Sequence, residues 1–332
     1  MGYLAEGDPT RRREALIRLL RVGGIGAAVA GAGVWLHERS RRPEEPLPAD
    51  LTRDLRVSAD PALADAVVAQ GDDPAVVVRR AVEELGGMRR FVSRGDVVVV
   101  KPNVAWDRTP AQGADTHPAV VAETVRLCLE AGARTAIVTD VTINDPQACF
   151  ERSGIGSAAR NAGAQVLLPD ERRFRRVNLR GEVLGEWPVF LPFLEADRII
   201  NVPATKHHSL TGASLGIKNW YGILGGPRHR LHQRIHESLA DLASFLRPTL
   251  TIMDAWRVLL RNGPTGGNPA DVAERKTILA GIDPVALDAY AARAYWDLDQ
   301  RSLRYLSLAA ARGLGTTRFE DLRTRVVKVP PS

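Results

Sequence analysis

The chain has 332 residues, 45% of them hydrophobic, which is enough for the core of one large α/β domain or two smaller ones. Lys and Arg exceed Asp and Glu by six and the pI is near 9.7, which favours anionic partners; the arginines are scattered over every segment, so we do not expect nucleic-acid binding. The two cysteines, Cys128 and Cys149, exclude a disulfide framework and any four-cysteine zinc or iron–sulfur site made by this chain alone.

Residues 1–42 predict a twin-arginine-like export signal or a membrane anchor. Arg12-Arg13 followed closely by apolar residues resembles the twin-arginine signal, and an uncharged, Gly- and Ala-rich run over residues 22–36 comes next. That run is short for a membrane span of about 20 residues but fits the hydrophobic region of a signal. Small residues in it offer cleavage sites, whereas the basic HERSRR that follows indicates an uncleaved anchor. Both alternatives place the protein outside the cytoplasm or on the cytoplasmic membrane.

Residues 43–54 are rich in proline and charge and are interpreted as a linker, and residues 55–332 as a single α/β domain. The predicted strands cover residues 96–103, 134–140, 164–170, 197–203, 248–255 and 276–283. The predicted helices cover residues 74–85, 116–132 with Thr116 as the N-cap, 146–162, 238–245 and 284–295. Continuous apolar strands separated by helices indicate a largely parallel sheet covered by helices on both faces, with a small antiparallel excursion near 174–193.

Polar side chains stand at the carboxyl ends of five predicted strands. They are Lys101 with Asn103, Asp140, Lys206 with His208, Asp254, and Asp283. Ligands bind at this edge of parallel α/β sheets, because the loops meet there and helix N-termini present free N–H groups. Two of these residues have structural alternatives: Asp283 precedes Pro284 and could cap a helix, and Asp140 could organise the turn after its strand.

Lysine is rare in this chain, with five residues against 40 arginines. Three of the five, Lys101, Lys206 and Lys218, fall in segments that look like binding motifs. A lysine in a chain that otherwise uses arginine indicates a position where a compact amine of tunable pKa is needed. Glycines between Lys206 and Lys218 could also bring main-chain amides close to an oxyanion.

Residues 205–236 hold five of the seven histidines. In a helix, His232 and His236 would have the i, i+4 spacing with which two imidazoles chelate one metal ion. We considered three alternatives for the segment: an anion or acid–base site using Lys206, His208 and Lys218; a divalent metal site; and a solvated basic face. The metal site, built from His208, His232, His236 and an Asp such as Asp254, ranks second because nearby lysines repel a metal ion.

Several motifs in a fixed order resemble the domain of unknown function (DUF) 362 family. They are KPN at Lys101, THPAVVAETVRLCLEAGA from Thr116, K-x-H at Lys206, LGIKNWYG around Lys218, TIMDA at Asp254, the NGPTGG loop and GIDPVALDAYAAR. The resemblance spans about residues 96–315. It implies one α/β domain, often behind an export signal, with no general reaction established. Some relatives carry ferredoxin-type cysteine motifs, which this chain lacks, so its own cysteines are not expected to bind an iron–sulfur cluster.

Two functional hypotheses follow. The first is an exported or membrane-anchored enzyme for a small anionic substrate, with Lys206, His208, Lys218 and Asp254 as catalytic residues and Lys101, Asn103, Asn219 and Asp283 as substrate-binding residues. Lysines would neutralise the anion, His208 would transfer a proton near neutral pH, and Asp254 would accept a hydrogen bond or bind metal. The alternative is a non-catalytic, metal- or redox-associated module that serves a membrane complex and a redox partner protein.

Overall fold

A computed structural model describes residues 52–299 and 301–330. The predicted signal or anchor over residues 1–42 and most of the predicted linker therefore lie outside the described residues. The strands are β1 (Arg53–Asp54), β2 (Ala66–Gln70), β3 (Val97–Pro102), β4 (Thr135–Val138), β5 (Gln165–Val166), β6 (Phe174–Asn178), β7 (Glu186–Phe190), β8 (Arg198–Val202), β9 (Ala204–His208), β10 (Gly212–Ser214), β11 (Leu246–Arg247), β12 (Leu250–Leu259), β13 (Val272–Gly281) and β14 (Thr324–Lys328).

The helices begin mostly at a proline, which is pre-organised for the first turn and has no N–H to leave unpaired. They are α1 (Pro74–Glu84), α2 (Pro118–Ala131), α3 (Pro146–Arg152), α4 (Ile155–Asn161), α5 (Pro192–Glu195), α6 (Ile235–Phe245), α7 (Pro284–Trp296) and α8 (Arg304–Ala311). Two 3₁₀ helices, Lys218–Ile223 and Arg228–Arg234, lie close to the site. In the described part of the chain, no helix is long and apolar enough to cross a membrane.

The central sheet has the strand order β14-β2-β13-β12-β8-β3-β4-β5, and β9 and β10 extend it beside β12. Every neighbouring pair in this order is parallel except the two that involve β13. The prediction of a largely parallel sheet is therefore confirmed. The reversed direction of β13 has a consequence for the site, because its carboxyl end lies at the opposite edge of the sheet.

Helices cover the sheet on both faces, as predicted. Side chains of alternating residues such as Val98 and Val100 point to one face, where they form a buried apolar cluster with residues of α1, α2 and α4. Lys101, the residue after Val100, points to the other face, and α7 packs against β12 and β13 there. The predicted antiparallel excursion is also confirmed, since β6 and β7 pair antiparallel with Phe174 opposite Phe190.

Two predicted helix boundaries differ from the structure. The N-cap of α2 is His117, whose Nδ1 accepts a hydrogen bond from the Ala119 N–H at 3.2 Å. The predicted cap, Thr116, instead accepts a bond from the Asn103 N–H and donates one to the Val202 carbonyl, each at 2.8 Å. The predicted helix over 146–162 is two helices, α3 and α4, because Gly154 adopts a left-handed φ of 73° between them.

Candidate anion-binding site

A cavity of about 320 Å³ lies beyond the carboxyl ends of β3 and β4, where β9 and the 3₁₀ helix Lys218–Ile223 close over it. Its lining residues are Lys101, Asn103, Ala105, Trp106, Asp140, Val141, Ile143, Lys206, His208, Ser214, Lys218, Asn219, Tyr221, Gly222, Arg228, His229, His232 and Pro264. Four lysine and arginine side chains face a single carboxylate in this lining. Such an imbalance in a partly enclosed space favours an anionic ligand.

Lys101 is fully buried and uses all three N–H bonds of its ammonium group on the protein. Nζ donates to Asp140 Oδ1 at 2.7 Å, to the Pro102 carbonyl at 2.9 Å and to Asn219 Oδ1 at 3.0 Å. Burial lowers the pKa of Lys101, and the Asp140 carboxylate opposes that effect. Because its donors are all occupied, Lys101 organises the site rather than contacting a ligand through a free N–H.

Lys206 is buried in the same region but keeps donor capacity. Strand pleating places its side chain on the same face of β9 as His208, two residues further on. Nζ donates to Asn103 Oδ1 at 2.9 Å and to the Ala114 carbonyl at 2.5 Å, which leaves one N–H without a partner among the described residues. Burial lowers the pKa of Lys206 and raises that of the neighbouring Asp115.

Asparagine side chains join the two buried lysines. Asn219 Oδ1 accepts from both Lys101 Nζ and Asn103 Nδ2, each at 3.0 Å, and Asn103 Oδ1 accepts from Lys206. Asn219 Nδ2 donates to Asn201 Oδ1 at 2.8 Å. We call this continuous set, from Asp140 through Lys101, Asn219 and Asn103 to Lys206, the polar chain. It fixes both lysines and the start of the 3₁₀ helix in one arrangement.

Asp140 lines the cavity, and its carboxylate bonds to the loop after β3 rather than to the turn after its own strand. Its Oδ2 accepts a hydrogen bond from the Val104 N–H at 2.7 Å, which orders the loop after β3, while Oδ1 is bound to Lys101. Gly222 packs directly on this pair, because a Cβ atom there would lie 1.8 Å from Asp140 Oδ1 and 2.6 Å from Lys101 Nζ. Only glycine allows the 3₁₀ helix to approach the ion pair so closely.

His208 is held as a neutral hydrogen-bond donor. Its Nδ1 accepts from the Leu210 and Thr211 N–H groups at 3.1 and 3.3 Å, so the ring proton is assigned to Nε2. Burial, followed by the positive charges of Lys218 and Lys206, lowers the pKa of His208 to about 2. Near neutral pH the imidazole can therefore offer a ligand an N–H. An anion bound beside it would raise its pKa.

Lys218 lines the cavity without a polar partner. In the described part of the chain, no hydrogen bond or ion pair reaches its Nζ, which lies 4.7 Å from the centre of the Tyr221 ring. The contact follows from 3₁₀ geometry, in which residues i and i+3 stack. Burial, then the charges of Lys206 and Arg228, lowers the pKa of Lys218 to about 7. Its amine is therefore partly neutral at physiological pH.

Arg228 supplies the fourth positive charge of the lining, and its guanidinium is largely anchored to main-chain carbonyls. It donates to the carbonyls of Val141 at 2.7 Å and Tyr221 at 3.3 Å, and also to that of Thr142. Burial lowers its pKa. Arg228 thus connects the 3₁₀ helix Lys218–Ile223 to the loop after β4 and adds a fixed charge to one wall of the cavity.

The glycine-rich segment does present main-chain amides to an oxyanion, but that oxyanion belongs to the protein. Asp288 of α7 accepts hydrogen bonds from the Gly216 and Ile217 N–H groups at 2.7 and 3.0 Å. The Asp288 carboxyl is fully buried, and burial raises its pKa to about 7. It therefore anchors the entrance to the 3₁₀ helix immediately before Lys218.

The structure brings together seven of the ten residues that were given catalytic, substrate-binding or metal-binding roles. Those that line the cavity are Lys101, Asn103, Lys206, His208, Lys218, Asn219 and His232. Asp254, Asp283 and His236 do not line it. The functional roles given to all ten stay predictions, since position alone does not test them.

Asp254 and Asp283 lie elsewhere because two strands differ from their predicted form. β12 continues to Leu259, so Asp254 is not at a strand end; its carboxylate accepts from the His117 and Trp256 N–H groups at 2.6 and 2.8 Å. Burial raises the pKa of Asp254 to about 6. Asp283 follows the reversed strand β13 and caps α7, accepting from Val285 and Ala286 N–H groups at 2.9 Å.

The two histidines with chelating spacing do not point at one position. His232 belongs to the 3₁₀ helix Arg228–Arg234 and packs edge-on against Tyr221, whereas His236 lies in α6 and stacks on Tyr305. The i, i+4 geometry expected of a continuous α-helix is therefore absent here. Within residues 52–299 and 301–330, no group of three or more His, Cys, Asp or Glu side chains is arranged to hold a metal ion.

The residues of this region that were not selected from the sequence include Tyr221, Asp115 and Arg228. Tyr221 has a buried hydroxyl without a partner in the described region, and Asp115 has one such oxygen, Oδ2. Arg228 was one of many arginines. A local signal existed only for Tyr221, which stands three residues after Lys218 and faces it once the segment is read as a 3₁₀ helix.

Replacing Gly222 by alanine tests the packing of the 3₁₀ helix on the ion pair. The new methyl group must displace Asp140 or Lys101, so we expect Gly222→Ala to lower the free energy of unfolding by about 3 kcal/mol in urea titrations. Gly185→Ala is the matched control, because a Cβ atom there meets nothing within 4 Å. Equal stability of the two variants would contradict the described contact.

Comparison with known proteins agrees with the resemblance seen in the sequence. A thylakoid-associated protein of Synechocystis sp. is 26% identical over 251 residues, which cover 73% of this chain and 76% of that protein. Two solved structures show weak similarity, each with a TM-score of 0.33: the lactate racemase apoprotein of Thermoanaerobacterium thermosaccharolyticum, at 15% identity, and a Thermotoga maritima protein, at 16%. The matches cover 59% and 72% of this chain but only 52% and 58% of those proteins.

The family assignment rests on a match to a family model. The family model described as domain of unknown function (DUF362) matches residues 98–293, a range that contains the cavity, the polar chain and the 3₁₀ helix of Lys218. This range is more than half of the chain. The protein therefore belongs to the DUF362 family.

Proposed function

We propose that the protein is an enzyme that binds a small anionic substrate in the cavity and transfers a proton there. The observation that carries this proposal is the amine of Lys218, which lines the cavity without a hydrogen-bond or ion-pair partner in the described region. Lys218 is half-buried, and polar groups enclosed by protein normally have hydrogen-bond partners. A carboxylate or phosphate group would supply the missing acceptor.

The donors around Lys218 support an anionic rather than a neutral ligand. Lys206 keeps one N–H free and His208 presents Nε2–H, so three side chains offer donors to the same cavity. Lys101 and Asp140 satisfy each other and hold the lining in place. Hydrogen bonds from a charged donor to an anion are about twice as strong as neutral ones, so this set can select for charge.

Lys218 is the group best suited to move the proton. With a pKa of about 7, its amine is present in both the neutral and the protonated form near physiological pH, as a general base and acid requires. His208 is better suited to orient the substrate, because its low pKa keeps it neutral. We therefore propose Lys218, in place of His208, for the proton transfer that was predicted for His208, and propose His208 as a contact to the anion.

Ligand-induced stabilisation tests the proposal. We expect small carboxylates and phosphate esters to raise the melting temperature of the wild-type protein, since a ligand at 100 times its Kd adds about 2.7 kcal/mol. Lys218→Ala should weaken binding about 10- to 100-fold, the loss expected for one charged hydrogen bond. Lys276→Ala is the control, because that lysine pairs with Asp72 on the surface. Equal anion binding by both variants would refute the site.

The same titration should depend on pH. An anion stabilises protonated Lys218, so its pKa rises from about 7 on binding and affinity increases as pH falls from 8 to 6. The dependence should be smaller in Lys218→Ala, in which Lys206 remains as a titrating donor, and unchanged in Lys276→Ala. Titration of the ligand itself would affect the wild-type protein and both variants equally.

We also propose that the protein works at a membrane surface outside the cytoplasm. The twin-arginine-like pattern in residues 1–42 and the similarity to a thylakoid-associated protein support this location. We expect removal of residues 1–42 to shift the protein from the membrane to the soluble fraction of cells; unchanged fractionation would contradict the proposal. If the protein is instead a module of a redox complex, a partner protein should co-purify with it. The same partner should then also co-purify with the Lys206→Ala and His208→Ala variants.

A further inference from the structure

Lys218 differs from the other lysines of the described region whose contacts are defined. Lys101 and Lys206 donate to acceptors inside the protein, and Lys276 forms an ion pair with Asp72 at 2.8 Å. Lys218 contacts an aromatic face instead, and its Nζ is open to the cavity. An amine of this kind has its lone pair available when neutral, because no acceptor or carboxylate holds it as an ammonium group.

The surroundings of Lys218 keep the amine reactive. Trp106, Val141 and Ile143 contribute apolar surface to the cavity, while Lys206 and Arg228 place positive charge nearby. Desolvation and adjacent cations are the two conditions under which proteins activate lysine as a nucleophile towards carbonyl compounds. Both conditions hold at Lys218, because desolvation and the charges of Lys206 and Arg228 are the causes that lower its pKa.

We propose that Lys218 forms an imine with the carbonyl carbon of a small oxo acid, whose carboxylate binds the free N–H of Lys206 and Nε2–H of His208. The inference rests on the proposed anion site and names its substrate class. A cavity of about 320 Å³ lies at the small end of the range for ligand pockets, about 300–1,000 Å³, which suits a compact acid. In an α-oxo acid, the carbonyl carbon is directly bonded to the carboxylate that these donors hold.

The step balances without a further reactant. Neutral Nζ of Lys218 adds to the carbonyl carbon, so that a C–N bond forms and the carbonyl π bond breaks, and one proton passes from Nζ to the oxygen to give a carbinolamine. Loss of the hydroxyl group as water and of the remaining nitrogen proton leaves the C=N bond. The nearby cations favour the developing oxyanion during addition. No atom is oxidised or reduced.

Reductive trapping tests the imine directly. The full chain is incubated with glyoxylate at pH 7 and treated with sodium cyanoborohydride, whose hydride converts the imine to a stable carboxymethyl-lysine. Peptide mass mapping can assign the adduct to a single residue, because the chain has only five lysines. We expect Lys218 to carry at least about tenfold more adduct than any other lysine, since an ordinary lysine with a pKa near 10.4 is almost wholly protonated at this pH.

Matched variants and probes separate specific from general labelling. Lys276→Ala should keep the adduct at Lys218, whereas Lys218→Ala and Lys218→Arg should lose it. The arginine variant retains a positive charge in case alanine disturbs the fold, and melting curves of both variants check their folding. Propanal, an aldehyde without a carboxylate, should label Lys218 at least about tenfold less than glyoxylate, the loss expected when one charged hydrogen bond is absent.

Glycolate distinguishes failure of the imine from failure of the anion site. It carries the carboxylate but no carbonyl group, so it should stabilise the protein and compete with glyoxylate labelling. If glycolate binds and Lys218 gains no more adduct than surface lysines, the imine is refuted and the anion site stands. If neither compound binds or labels the cavity, both proposals are wrong.

Discussion

The burial of two lysines, Lys101 at the carboxyl end of β3 and Lys206 within β9, is the constraint on which the rest of the site depends. A buried ammonium group without acceptors is very costly, and breaking a buried ion pair costs about 3–5 kcal/mol. The polar chain from Asp140 to Lys206, together with the carbonyls of Pro102 and Ala114, meets this requirement by giving Lys101 three acceptors and Lys206 two. It also links β3, β9 and the 3₁₀ helix through side chains. The elements that form the cavity are therefore positioned by the same contacts that make it basic.

The exposure of Lys218 to the cavity follows from this arrangement. Asn219 faces the polar chain and Gly222 packs on Asp140, and with three residues per turn both lie on one side of the 3₁₀ helix. Lys218 and Tyr221 then share an adjoining side that lines the cavity. Asp288 holds the main chain just before this turn. One lysine is thus left without acceptors because its neighbours are used to satisfy the others, and this gives the site a reactive amine.

Much of this site could be predicted from the sequence, because lysine, histidine and asparagine at parallel strand ends must meet at one edge of the sheet. Lys101 and Asn103 lie there for that reason, and Lys206 and His208 reach the same edge in β9, an unpredicted short strand that follows β8. The misplaced residues depend on features that local patterns do not encode. The position of Asp283 depends on the direction of β13, and that of Asp254 on the continuation of β12 beyond it. The position of His236 depends on the change from a 3₁₀ helix to an α-helix at Ile235. Tyr221 likewise could be selected only once the helix type was known.

The family match covers all of these elements, and no reaction follows from it alone; the chemistry must be inferred from the cavity. The central claim is that the unpaired donors around Lys218 form an anion site. The most direct test is a crystal structure of the protein grown with selenate, a small oxyanion that anomalous scattering locates without ambiguity. The account predicts a selenate in the cavity, with oxygens about 2.7–3.2 Å from Lys218 Nζ and His208 Nε2. Selenate bound only at exposed arginines, with water alone in the cavity, would contradict it.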